Sequence, residues 1–364
     1  MAGEIDVLDT WMDSSITAAV HAGWPENEDQ FKRLFPADLQ PNGLDIIRTW
    51  DYYLLVRSLA LFGIAPYKTL LINGMVRGTD GRMMHKSYGN YVESEDALKR
   101  YGADAFRQWV AAGGSTGYDI PFQWAEVEHG KKFLTKLWNV ARFILANAPT
   151  TTELPPCELT LLDKWILGSI QRLVSEVTEA FENYQFNTAL EATRNFTWHS
   201  LADDYIEAVK HRLQPEAPPT SGNAAQYCLR TALLTICKLL APLCPHITES
   251  IYQQIPKKEQ SKSIHVSLWP AVDSGLIKDE WIRDGNTLSA TIAYARRIKA
   301  EKGMALKAPI KKLVISASKE SLEVLQRNRE DILNTLKAEM LVLEQLPKDN
   351  GTLPREGIRV DIVA

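Results

Sequence analysis

The feature that most limits what this chain can fold into is a stretch from about Trp124 to Lys302 in which apolar residues recur at helical spacing. Phe133, Leu137, Val140 and Ile144 form one stripe; Leu162, Ile166, Ile170, Leu173 and Val177 form another. Residues three and four apart share one face of a helix, so each stripe must be buried against a neighbour. Further helices are predicted over 188–212, 224–240 and 285–302. Turn formers interrupt the pattern at 149–156, 215–222 and 256–263, intervals that suit a helical bundle with loops.

The flanks read differently. Lys68 to Val76 (KTLLINGMV) is a brief apolar run closed by glycine and charge, which predicts a buried strand. Ser94 to Ala111 predicts a helix, with Ser94 as N-cap, Glu95 and Asp96 in the first turn, and a stripe of Leu98, Tyr101, Ala105 and Trp109. After Pro309, residues 310–317 alternate as a strand, 319–336 are helical, and 340–346 and 358–363 look like strands, together a small α+β appendage. A length of 364 residues suits two or three such domains.

Charge and cysteine content exclude several classes. Lys and Arg number 41 against 45 Asp and Glu, a net charge of −4, so the chain is not a uniformly basic nucleic-acid binder, although a local basic patch is compatible. The four cysteines (157, 228, 237, 244) form no CxxC pair, and three lie in one apolar helical stretch. That argues for packing thiols in a reducing compartment rather than a zinc or disulfide framework. The opening MAGEIDVLDTW is acidic and lacks a signal core. The most apolar run, 231–248, is broken by Lys238, Pro242 and Pro245. A cytoplasmic protein with no membrane partner is the expectation.

Four segments carry residues suited to chemistry. Gly78 to Asn90 (GTDGRMMHKSYGN) follows the predicted strand, where open α/β sheets bind ligands, and Lys86 with backbone N–H groups there could meet phosphates. Its spacing is not that of the GxxxxGK[ST] phosphate loop, and a solvated basic turn accounts for it equally well. Asp6 to Ser15 sets Trp11 among polar neighbours, either as a pocket wall or as a packing Trp beside a helix cap. Asp45, in GLDII, suits a ribose hydroxyl pair or an Asx turn. Trp198, Tyr205, Lys210 and Arg212 share one predicted helix that could stack and clamp unpaired RNA bases or simply face water. Arg296, Arg297, Lys299, Lys302, Lys307, Lys311 and Lys312 form a local basic stretch suited to phosphates. His246, after Pro245, reads as a packing or capping residue.

Each signal alone is weak, but their order is specific. DVLDTWMDSS, GLDII, NGMVRGTDGRMMHKSYGN, RYGADAFRQW and KLWNVARF, in that order, resemble the downstream part of a class I aminoacyl-tRNA synthetase. DKWIL, YQFNTALEATRNFTWHSLADDYIEAVKHR, LLAPLCPHITESIY and SIHVSLWP resemble the helical anticodon-binding domain of the valine, isoleucine and leucine branch. The resemblance runs from residue 6 to about 310, and the valine-specific members fit best.

That resemblance implies a fold mainly α with α/β. Residues 1–120 would be the second half of a Rossmann-like catalytic domain, 121–304 an anticodon-binding helical bundle, and 305–364 a small α+β domain. It implies that Trp11 and Ile46 line the valine side-chain pocket, that Gly43 and Asp45 lie against the adenosine ribose, and that Gly74 lies beside the adenine. The KMSKS loop of the family maps onto Met83-Met84-His85-Lys86-Ser87. Met84, Lys86 and Ser87 would contact ATP, with Lys86 reaching its phosphates during activation. Two residues depart from the pattern, Met83 for the first lysine and His85 for the first serine.

The implied chemistry is attack of the valine carboxylate on the α-phosphate of ATP and then transfer to valine tRNA, achieved by positioning and charge stabilisation rather than a covalent nucleophile. ATP with Mg2+ enters as substrate, and no resident cofactor or protein metal site is implied. Trp198, Tyr205, Lys210, Arg212, Arg296 and Arg297 are candidate tRNA contacts. His21, His85 and His129 are the histidines of the first half, and none lies in a HIGH-like block. The HIGH half and editing insertion would therefore belong to a missing N-terminal partner. The chain alone is expected to be inactive and mainly tRNA-binding. The alternatives are a non-catalytic RNA-binding paralogue and an isoleucine- or leucine-specific relative.

Overall fold

The computed structural model describes residues 3, 5–7, 9–114, 116–148, 158–256, 261–346 and 357–363. The turn predicted at 149–156, Cys157 and residues 257–260 of the break at 256–263 lie outside the described residues. The chain forms two units, residues 1–96 with 113–124, and residues 97–112 with 125–364.

In the first unit, short helices α1 (Thr10–Ser14), α2 (Thr17–His21) and α3 (Glu28–Leu34) precede β1 (Ala37–Gly43). Helix α4 (Tyr52–Phe62) then crosses to β2 (Tyr67–Asn73), which pairs parallel with β1 from Ala37↔Tyr67 to Gly43↔Asn73. Parallel neighbours need such a crossover, and α4 supplies it. Trp24, Phe31, Phe35 and Phe62 pack edge-on and stacked, with ring centroids 4.7–5.5 Å apart, over buried Ala19 and Ala22. The strand predicted over 68–76 ends at Asn73, and β3 (Val76–Arg77) pairs instead with β4 (Ile120–Pro121). The chain parts at Gly74, where any Cβ would stand 1.7 Å from the Tyr118 carbonyl oxygen. Only a residue without a side chain lets those two backbones cross so closely.

The second unit is largely helical. Helix α5 (Ser94–Tyr101), whose first residues belong to the first unit, is followed by α6 (Ala103–Ala112), so the helix predicted at 94–111 is interrupted at Gly102. The bundle is built from α7 (Trp124–Asn147), α8 (Leu161–Glu182), α9 (Phe186–Asn195), α10 (Ile206–Val209), α11 (Pro219–Leu240), α12 (Pro245–Tyr252) and α13 (Asp279–Glu301). A capping box opens α8: the Thr160 hydroxyl accepts from the Asp163 N–H, and the Asp163 carboxylate accepts from the Thr160 N–H. The predicted stripe of Leu162, Ile166, Ile170, Leu173 and Val177 is buried in full, and α8 packs against α9, α11 and α13. At the crossing with α13 a Cβ on Gly285 would lie 2.3 Å from Cβ of Trp165, so glycine sets the approach of those helices.

Between α9 and α10 the helix widens into i→i+5 turns over Phe196–Tyr205, and after α10 it tightens over Lys210–Leu213. The single helix predicted at 188–212 is thus continuous in course but not in pitch. Cys228, Cys237 and Cys244 are buried and form no disulfide with one another, and burial pushes Cys237 up to about 12.

The C-terminal sheet has the order β6-β5-β7, with β5 (Ile310–Ala317) parallel to β6 (Ala338–Gln345) and antiparallel to β7 (Arg359–Val363). Helices α14 (Lys319–Arg327) and α15 (Arg329–Leu336) form the crossover, divided at Asn328, whose backbone and side-chain N–H groups both donate to the Val324 carbonyl. Leu313, Ile315, Leu341, Val360 and Ile362 on the inner face belong to the same apolar core as Leu288 and Ile292 of α13. Among the described residues no helix is long and apolar enough to cross a membrane.

Candidate functional site

The carboxyl ends of β1 and β2 bring together residues far apart in sequence. Gly43 and Asn73 are the last register pair, and Gly74 follows directly. Asp45 lies in the single turn Leu44–Ile46, exposed, with Oδ1 2.8 Å from where a Cβ on Gly43 would stand; Met75 Sδ is 3.3 Å from the same point. Gly43, Asp45 and Gly74 therefore share one end of the parallel pair, where α/β sheets take ligands. Trp11 lies on α1, which Asp9 caps by accepting from the Trp11 N–H at 3.0 Å. Trp50 Nε1 donates to the Ser14 carbonyl at 3.2 Å and ties α1 to the turn that follows Ile46. Trp11 is 40% exposed and Ile46 half-buried.

The loop after β3 is organised by a residue that sequence reasoning passed over. Asn90 is buried, and its amide donates to Asp80 Oδ1 and to the Met83 carbonyl, both at 3.0 Å. Its carbonyl oxygen accepts from the His85 N–H at 2.8 Å. One side chain thus fixes three points of the loop. Donation from Asn90, and then from the Arg82 N–H, holds the Asp80 carboxyl below its ordinary range. At the base, Asp119 accepts from the Met75 N–H and from Arg77 Nε, both at 2.8 Å, and these bonds lower its pKa. Met84 is half-buried, whereas His85, Lys86 and Ser87 are exposed. The Lys86 ammonium sits 5.4 Å from the Tyr91 ring centroid, and His85 Nδ1 lies 2.7 Å from Ser87 Oγ. The sole sequence sign of the Asn90 role is its place at the end of the loop block.

The candidate RNA contacts of the bundle separate sharply. Tyr205 is fully buried and donates to Asp163 Oδ1 at 2.6 Å, a core position from which no base can be stacked. Arg212 is buried too, with Nη1 2.9 Å from Asp163 Oδ1 and Nη2 2.8 Å from Oδ2, so it has no free donor face for a phosphate. Both expectations are corrected: these polar groups serve the interior, where burial demands partners. Trp198 is half-buried under the Lys136 ammonium, 5.0 Å from its ring. Lys210 is paired with Glu207, and Arg296 donates to the Asp203 carbonyl at 2.9 Å and to Glu207 at 2.8 Å. Arg297 is exposed, 3.5 Å from Glu301.

One surface cation was missed. Arg142 on α7 is exposed and, among the described residues, has no carboxylate partner. With Asn139, Phe143, Asn147 and Gln254 it lines an open hollow of about 440 Å³, and Lys210 reaches over the Phe143 ring at 5.6 Å. Its signal lay in KLWNVARF, where Asn139 and Arg142 are three apart and so share a helix face. No group of three or more His, Cys, Asp or Glu that could hold a metal ion occurs among the described residues.

Comparison with known proteins bears on both regions. Residues 2–123 match the family described as tRNA synthetases class I (I, L, M and V), and residues 163–315 the anticodon-binding domain of tRNA ligase. The valine–tRNA ligase of Methanothermobacter thermautotrophicus is 45% identical over 92% of this chain and 37% of its own. That of Archaeoglobus fulgidus is 38% identical over 95% of this chain and 38% of its own. The chain therefore spans a little over a third of the length of these relatives. Among solved structures, the Agrobacterium radiobacter LeuRS–tRNA–LeuAMS ternary complex aligns at a TM-score of 0.65 and 22% identity, covering 76% of this chain and 34% of that one. Mycobacterium tuberculosis methionyl-tRNA synthetase in complex with methionyl-adenylate aligns at 0.60 and 22%, over 72% and 53%. At that identity the likeness is one of fold.

Proposed function

This chain belongs to the class I tRNA synthetases of the isoleucine, leucine, methionine and valine group, and from that premise we propose that it works as part of a valine–tRNA ligase. In this reading valine and ATP, with Mg2+, form valyl-adenylate and pyrophosphate, and the valyl group then passes to the 3′ end of its tRNA with release of AMP. The observation that carries the reading is the meeting of Gly43, Asp45 and Gly74 at the carboxyl ends of β1 and β2, with the loop that holds Lys86 following β3 a few residues later in the chain. Asp45 takes the ribose hydroxyls, and the Lys86 ammonium meets the phosphates most strongly as charge gathers on the pentavalent phosphorus. Trp11 and Ile46 shape the side-chain pocket. The remaining part of the nucleotide site is supplied by sequence that the longer relatives carry. Three buried thiols, kept reduced, agree with a cytoplasmic location.

The bundle takes the anticodon end of valine tRNA on the face of α7 and its neighbours, with Arg142, Lys210 and Arg297 as phosphate contacts and Trp198 as an aromatic wall. Arg296 acts behind them by holding Glu207. A second reading, a non-catalytic RNA-binding relative, draws support from Met83 and His85 in the loop.

The test compares valine tRNA with an anticodon-swapped version at two salt concentrations. Binding that falls with salt, is stronger for valine tRNA, and loses about one unit of its log–log salt slope in Arg142→Ala supports the anticodon face. Equal affinity for both RNAs at each salt would remove it.

A further inference from the structure

We infer that the His85 imidazole is a second phosphate donor in this loop, binding the triphosphate through Nε2–H beside the Lys86 ammonium. The inference rests on the ATP reading of the loop proposed above and assigns within it a role to a residue that departs from the family pattern.

The geometry holds one end of the ring and offers the other. His85 Nδ1 is 2.7 Å from Ser87 Oγ, the His85 N–H donates to Asn90 at 2.8 Å, and the ring rests against Tyr88 with centroids 5.1 Å apart. Among the described residues Nε2 has no partner, and the side chain is exposed, with Lys86 the next residue in the chain. Ser87 suits both charge states of the ring, because a hydroxyl donates or accepts. If Ser87 donates to Nδ1, the neutral ring carries its proton on Nε2; if the ring is cationic, both nitrogens carry protons and Ser87 accepts. Either way Nε2–H points outward. The remaining tautomer, with a lone pair on Nε2, is the one that a phosphate oxygen repels.

Charge balance gives this donor a purpose. Met83, a thioether, brings no charge to the loop. Arg82 is 3.7 Å from Asp80, and Arg77 is engaged by Asp119. That leaves Lys86 as the loop cation without a carboxylate partner among the described residues. A polyanion held by one ammonium gains most from one further N–H, and hydrogen bonds to charged acceptors are about twice as strong as neutral ones.

The experiment titrates the full chain with inorganic tripolyphosphate while following the histidine Cε1–H resonances, with the His85 signal identified by its loss in His85→Ala. The expected result is a shift of the His85 signal, with those of His21 and His129 unmoved, and affinity about tenfold weaker in His85→Ala, the order of one charge-assisted hydrogen bond. His85→Lys should restore the affinity, which a variant that had merely loosened the loop would not do. Met83→Lys should tighten binding and shrink the effect of His85→Ala. Binding that needs Lys86 but leaves the His85 signal and affinity unchanged would overturn the His85 assignment alone. No tripolyphosphate binding, or binding indifferent to both Lys86→Ala and His85→Ala, would overturn the phosphate reading of the loop as well.

Discussion

The Arg212 guanidinium clasps the Asp163 carboxylate through two bonds, 2.9 Å from Nη1 to Oδ1 and 2.8 Å from Nη2 to Oδ2, with both side chains removed from solvent. Asp163 also caps α8 and accepts from the Tyr205 hydroxyl, so one carboxylate serves a helix start, a tyrosine and an arginine. Burial pulls the Arg212 guanidinium toward lower pKa, but the Asp163 bonds outweigh it and leave the group above its ordinary value. Burial, with the nearby Asp163 charge, raises the Tyr205 phenol.

Arg212→Met should therefore cost about 3–5 kcal/mol of stability, because it strands a buried carboxylate. Denaturant unfolding measures the loss. The RNA affinity of the folded fraction should stay at the wild-type value, which separates a core role from the phosphate contact that the sequence suggested.

Gly74→Ala should be as severe in the first unit. The added methyl would overlap the Tyr118 carbonyl oxygen, and backbone on both sides leaves little to give way. A loss of about 3 kcal/mol or more is expected, at the upper end of overpacking effects. Tryptophan fluorescence during urea unfolding reports it. An unfolding midpoint equal to wild type would mean that Tyr118 does not approach Gly74 as described.

Asp204 makes the second unit sensitive to pH. Burial, with Asp203 nearby, raises its pKa from 3.8 to about 6, against opposition from Ser289, His199 and Arg296. A carboxyl whose folded pKa exceeds its unfolded value holds its proton more tightly when folded. Its stabilising contribution is present below about pH 4 and is lost as pH rises through about 6. Asp204→Asn should accordingly raise Tm at pH 8 and change it little at pH 4. A uniform shift at both pH values would count against the linkage.

Lys299 is fully buried, and its ammonium donates to the carbonyls of Leu306 at 3.0 Å, Ala308 at 2.5 Å and Leu336 at 3.3 Å. It joins α13, the connection to β5 and the end of α15 with no carboxylate partner among the described residues, and burial lowers its pKa. Lys299→Met should cost about 1–3 kcal/mol by leaving buried acceptors unmade. Hydrogen exchange should quicken over 303–309 and 336–341 before it does so in α8. Unchanged exchange there would show that the sheet is held by apolar packing alone.

Much of this molecule was determined by local pattern. The stripes of α7 and α8 and the strand at 310–317 are readable because a helix or strand must bury one periodic face. The order of the blocks likewise marked the class I character of the chain, and with it the end of β1 and β2 where Gly43, Asp45 and Gly74 meet.

Tertiary structure decided what each polar residue does. Tyr205 and Arg212 read as RNA contacts because a polar side chain on a helix looks the same whether it faces water or a buried carboxylate, and Asp163 lies 49 residues from Arg212. The roles of Asn90 and Asp119 stay hidden because several of their partners are backbone groups, which leave no mark in the sequence. Periodicity reports which face is apolar. The partners of a buried charge are set only when distant helices meet, since burial makes an unpaired charge too costly to keep.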